Sequence, residues 1–131
     1  MKIIKLNKIL NFYNKKYKLK TIMKNNKNTS LACYNIKKNK IYINFSNITK
    51  CKPDIQYLQK IPLKKDIDFY IAVLLHEIGH AVDYKKNPKR FNNEWADTDL
   101  FLYESLFDYG ANRPFEKRAI RFANKEIKRW I

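Results

Sequence analysis

Histidine occurs twice in this 131-residue chain, at His76 and His80, and glycine occurs twice, at Gly79 and Gly110. Two glycines exclude a glycine-rich phosphate-binding loop. The two cysteines, Cys33 and Cys51, are far apart and form no Cys-x-x-Cys pair. That argues against a disulfide framework and suits reduced thiols in a cytoplasmic setting. No apolar run approaches the roughly 20 residues of a membrane span. The first twenty residues are broken by Lys and Asn every few positions, so they lack the apolar centre of a signal peptide. Arginine is absent from residues 1–65, and that half has a single acid, Asp54.

What is present is lysine and a real core. Residues 1–65 hold 17 lysines and so carry the whole net charge of +16, while residues 66–131 balance 11 basic against 11 acidic side chains. Such a half reads either as a solvated lysine face or as a footprint for an anionic partner. Nucleic-acid recognition favours arginine for bidentate contacts, and its absence here favours the solvated face. Hydrophobic content of 45% and aromatic content of 15% support one domain over residues 1–131, with residues 1–30 as a basic helical extension packed on it.

Periodicity places the elements. Ile3, Leu6, Leu10, Tyr13 and Tyr17 recur at helical spacing and predict a helix over residues 2–18. Residues 24–30 read as a loop. Residues 31–36 and 40–45 read as two strands joined by a turn at Lys37-Lys38-Asn39-Lys40, with Ile41, Ile43 and Phe45 facing inward. Residues 46–62, punctuated by Pro53 and Pro62, read as irregular. A central helix is expected over residues 65–84, capped by Asp66 or Asp68 and ended by Asn87-Pro88. A third is expected over residues 94–109. A last helix opens at Pro114, with Phe115, Ala119, Phe122, Ile127 and Trp130 as its apolar stripe.

The central helix carries His76-Glu77-Ile78-Gly79-His80, an HExxH motif. Two histidines four residues apart project from one helix face, where both reach one Zn²⁺ at about 2.0–2.1 Å. Glu77 is then the general base toward water. A catalytic zinc needs a third protein ligand, and composition excludes a third histidine. The metzincin extension is excluded too, because its Gly position is Asp83 and its third His position is Lys86. A carboxylate or a cysteine must serve. Glu94, Asp97, Asp99, Glu104, Asp108 and Glu116 all lie downstream. Glu116 is favoured, because it sits in the first turn of the last helix, and small Ala119 and Ala123 let that helix approach the motif closely. A glutamate there also suits the helix macrodipole as a cap. Glu104 and then Asp108 are the alternatives.

Residues 74–83 together with residues 112–123, containing Pro114-Phe115-Glu116 and Ala119, resemble the short gluzincin-type zinc metallopeptidase domains of phages and bacteria and, more loosely, the ImmA/IrrE peptidases. The resemblance covers roughly residues 66–125. It implies His76, His80 and Glu116 as metal ligands, Glu77 as catalytic base, and a peptide or protein as substrate. It also implies an α+β, zincin-like fold: a small antiparallel sheet packed on the HExxH helix, with further C-terminal helices. An edge strand of that sheet would bind an extended peptide by strand addition. The chain departs from thermolysin-like enzymes in having no further histidine for the oxyanion. Tyr103, Tyr109 and Arg113 are the candidate donors, with Tyr109 and Arg113 preferred. Asp83 is either an acceptor for a ligand histidine or a solvent-facing acid at the helix end. Two other readings compete. A peptide-deformylase type would take Cys33 as third ligand. A basic nucleic-acid- or protein-binding module would hold a non-catalytic zinc.

Overall fold

The computed structural model describes residues 2–96 and 114–131, and in it the N-terminal lysine-rich stretch forms helix α1, Lys2–Tyr17. Leu6, Ile9, Leu10 and Tyr13 of α1 are buried, whereas Ile3, expected inward, is 43% exposed. At this end of the helix it is Lys2 that covers core rings, its Nζ 4.8 Å from the Phe45 centroid and 5.0 Å from that of Tyr70. The helix is part of the core: its buried residues join one apolar cluster with the sheet and the central helix.

Three short strands follow: β1 (Ile22–Asn25), β2 (Ala32–Asn35) and β3 (Lys40–Ile43). Their order is β1-β3-β2, with β2 antiparallel and β1 parallel to β3. The sheet is therefore mixed, which corrects the antiparallel expectation, and β1 occupies positions expected to belong partly to a loop. A tight turn can join only antiparallel neighbours; a parallel pair needs a crossover of about a dozen residues. Residues 26–39 provide that crossover, and β2 lies within it. Asn39 takes a positive φ of 52° in the β2–β3 turn, a conformation asparagine tolerates. It accepts from Thr21 Oγ1 at 2.8 Å and Tyr34 Oη at 3.0 Å and donates to the Leu19 carbonyl at 2.8 Å. Ile41 and Ile43 point into the core as expected, but Phe45 begins a helix instead of ending a strand. Asn44 causes the change: its side chain caps α2 (Phe45–Lys50) by accepting from Asn47 N at 3.1 Å. A second short helix, α3 (Lys52–Tyr57), with Pro53 in its first turn, takes up more of the stretch expected to be irregular, and residues 58–62 stay irregular as expected.

The central helix α4 runs Asp66–Lys86, and every residue from Asp68 to Asp83 is buried. Of the two expected caps, Asp68 serves, accepting from the Lys64 and Lys65 backbone N–H groups at 3.0 Å each. Asn87 ends α4, and Pro88 opens α5 (Pro88–Ala96). The helix expected over residues 94–109 coincides with α5 only at its start; the remainder lies outside the described residues. Helix α6 (Pro114–Glu126) and a final 3₁₀ turn (Ile127–Arg129) pack back on α4. The chain is thus α+β, with the small sheet and α6 both against α4. No described helix is long and apolar enough to cross a membrane.

Candidate metal centre

The site is built where α4 and α6 come closest. A side chain begun at Gly79 would meet Ala119 Cα at 3.1 Å and Phe122 at 3.2 Å. Glycine on one helix and alanine on the other therefore let the backbones approach. At that separation the first turn of α6 carries Glu116 over the motif face of α4. Glu116 Oε1 lies 3.1 Å from His76 Nε2 and also contacts His80 Nε2. One ligand atom from each of His76, His80 and Glu116 falls within 4.8 Å of the others, and all three side chains are buried. Both histidines, on one face of α4, present Nε2 to the carboxylate.

Glu77 is 1% exposed, and its Oε2 has no hydrogen-bond partner among the described residues. His80 Nδ1 is likewise buried without one. Unpaired buried polar atoms cost roughly 1–3 kcal/mol each, so this cluster is poorly explained as a stabilising device. Phe91 and Phe115 stand 5.9 and 5.7 Å from the His80 ring and wall it from water. In that setting burial pushes the Glu77 carboxyl up, against the opposing pull of His80 and His76. Burial disfavours charge on His80, but the charge and hydrogen bond of Glu116 outweigh it and raise its pKa. Burial likewise disfavours charge on Glu116, and the two histidines more than offset this, holding its carboxyl well below the ordinary range. The result is a dry nitrogen–nitrogen–oxygen cradle with its carboxylate ionised. A divalent ion suits it, and the donor set fits a borderline-soft metal.

A polar clamp holds the two helices in this register. Arg118, two residues beyond Glu116, donates through Nε and Nη2 to the two Asp83 oxygens at 2.9 and 2.7 Å. Arg118 also reaches Glu94 on α5 at 2.6 and 3.2 Å, and Arg90 Nη2 donates to Asp83 at 2.9 Å. Asp83 is 7% exposed. It is neither a solvent-facing acid nor an acceptor for a ligand histidine; it ties α4 to α5 and α6. Sequence reasoning missed Arg118 and Arg90. The available signal was Asp83 itself, an acid at the end of an otherwise apolar helix. Glu94, weighed as a ligand, serves this clamp.

Cys33 on β2 is near enough for the Glu77 charge to act on it. Burial, reinforced by that charge, raises the Cys33 thiol to about 11. It is absent from the converging ligand group, which holds no cysteine. Beside it, residues 33–37 form one wall of a cleft of about 550 Å³, faced by Tyr84 and Asn92. Tyr84 follows His80 by one helical turn and so lies on the same face of α4. Tyr103, Glu104, Asp108, Tyr109 and Arg113, with Asp97 and Asp99, lie outside the described residues. No protein-family profile matches the chain, and neither a curated protein nor a solved structure matches it significantly.

Proposed function

We propose that the chain is a zinc-dependent metallopeptidase of gluzincin type, with His76, His80 and Glu116 as ligands and Glu77 as general base. The observation that carries this reading is the buried convergence of those three side chains beside Glu77. A zinc ion held there would supply Lewis acidity, lowering the pKa of water and polarising a peptide carbonyl. The chain's own residues do the rest. Glu77 accepts a proton from water as the water oxygen bonds to the carbonyl carbon. It returns that proton to the amide nitrogen as the C–N bond breaks, and the second proton leaves with the new carboxyl group. Burial favours a carboxyl that can hold a proton between those two events. Phe91 and Phe115 keep bulk water from the ligands. Tyr109 and Arg113 are the oxyanion donors on this reading.

A zincin-like arrangement is supported by the position of β2, whose outer edge has no partner strand among the described residues. The alternative, a basic nucleic-acid- or protein-binding module around a non-catalytic zinc, draws on the lysine excess. A structural zinc normally has four Cys or His ligands, and the converging group has two histidines and one carboxylate. The deciding experiment compares wild type with Glu77→Gln, each loaded with zinc, on an unstructured protein substrate. The variant should bind zinc within a few-fold of wild type and lose at least about 100-fold in cleavage rate. Equal cleavage by both would end this reading.

A further inference from the structure

Three adjoining recesses surround the edge of β2 that pairs with no strand among the described residues, and the turn that follows it. The largest, beside Cys33 and Tyr84, has Lys37 in its wall. A second, sharing Cys33 and Asn35, includes Lys38. A third, sharing Tyr34 and Tyr84, includes Lys85. No Asp or Glu lines any of the three among the described residues. Lys37, Lys38 and Lys85 are all exposed, and each lines one of these recesses. Lys24 on β1 and Lys38 in the turn crowd Lys40, and this like-charge crowding lowers its pKa.

The two ends of this surface differ. At one end Cys33 lies on β2 where that strand packs against α4, within range of the Glu77 charge. At the other, four residues along the chain, stands Lys37. β2 ends at Asn35, two residues and about 7 Å past Cys33 at roughly 3.3 Å per extended residue, and Lys37 and Lys38 follow in the turn just beyond it. An extended segment paired with β2 would use main-chain hydrogen bonds for affinity and side-chain contacts for selectivity. Its residues about three to five positions from the reacting bond would lie among the lysines. A carboxylate there relieves their mutual repulsion, while a lysine there adds to it.

We propose that the β2 cleft selects extended peptides bearing an acidic side chain about three to five residues from the bond to be cut. The proposal rests on the peptidase reading for its cutting step, but its charge selection is separable. The test uses the full zinc-loaded chain and matched fluorogenic peptides carrying Asp, Gln or Lys at single positions on either side of the bond. Asp peptides should exceed their Lys counterparts at least about threefold in kcat/KM at low salt, with the gap closing as salt screens the charges. A Lys37→Glu, Lys38→Glu double variant should invert the ranking. Equal cleavage of Asp and Lys peptides by wild type overturns the selection and leaves the peptidase reading standing. If nothing is cleaved, binding of the same labelled peptides to zinc-loaded Glu77→Gln decides. Preference for Asp keeps the cleft and ends the hydrolytic reading; no preference ends both. A DNA duplex that binds more tightly than the Asp peptides, and loses affinity in the lysine variant, would assign the lysines to nucleic acid and overturn the proposal.

Discussion

Gly79 and Ala119 meet where α4 and α6 cross, and a Cβ at Gly79 would lie 3.1 Å from the Ala119 Cα. The atom in the way is backbone, so relief requires one helix to move. Gly79→Val should therefore push α6 outward and carry Glu116 off the histidines. Overpacking of this kind costs about 1–3 kcal/mol. Thermal unfolding should register that loss, and zinc affinity should fall with it. Unchanged affinity would mean that Glu116 does not depend on this contact.

Glu116→Gln keeps the size of the side chain and removes its charge. It should weaken zinc binding by more than about 100-fold, beyond the loss typical of an outer-shell change. Competition with a chromophoric chelator measures this directly. The parallel variants Glu104→Gln and Asp108→Asn should remain within a few-fold of wild type. If either takes the large loss instead, the third ligand has been misassigned.

The Asp83–Arg118 clamp predicts coupling between two residues that contact no metal. Breaking a buried ion pair costs about 3–5 kcal/mol, but the Arg118 side chain is 21% exposed, so water offsets part of that. A double-mutant cycle of Asp83→Ala and Arg118→Ala should show a coupling of about 1–3 kcal/mol in stability. Each single variant should also weaken zinc binding more than its loss of stability explains, because α6 loses its register. Arg118→Lys, which keeps the charge without the bidentate fork, should recover only part. Additive effects would show that the clamp carries no cooperative role.

Cys33 supplies a pH test. Its thiol is raised to about 11, against about 8.5 for an unperturbed cysteine. The unfolded chain therefore ionises first as pH rises. The stability contributed by the neutral thiol is complete below about pH 8.5 and declines as pH climbs through about 11. At pH 8, alkylation of native Cys33 should be on the order of 100-fold slower than in the denatured protein. Cys33→Ser should bind zinc as tightly as wild type; loss of zinc there would revive the deformylase-type reading.

Much of the site was legible because it depends on short-range spacing. His76 and His80 share a helix face by the 3.6-residue repeat alone, and the chain has no other histidine to consider. The last helix and its apolar stripe followed from Pro114 and the spacing of Phe115, Ala119 and Phe122. The sheet was less legible. Its two-strand hairpin showed in the alternation at Ile41 and Ile43, but the parallel strand β1 did not. Parallel pairing is set by a crossover, which leaves no periodic mark on four residues.

The sequence by itself determined the chemistry available: two histidines, a glutamate between them, and a carboxylate or cysteine as the remaining choice of ligand. Only the tertiary structure decided which described carboxylate stands over the histidines and what Asp83 does. That depended on how closely two helices could approach, forty residues apart along the chain. Gly79 and Ala119 set the distance and Asp83 with Arg118 sets the register. Neither is visible to a periodicity confined to one helix, because each is a property of the pair.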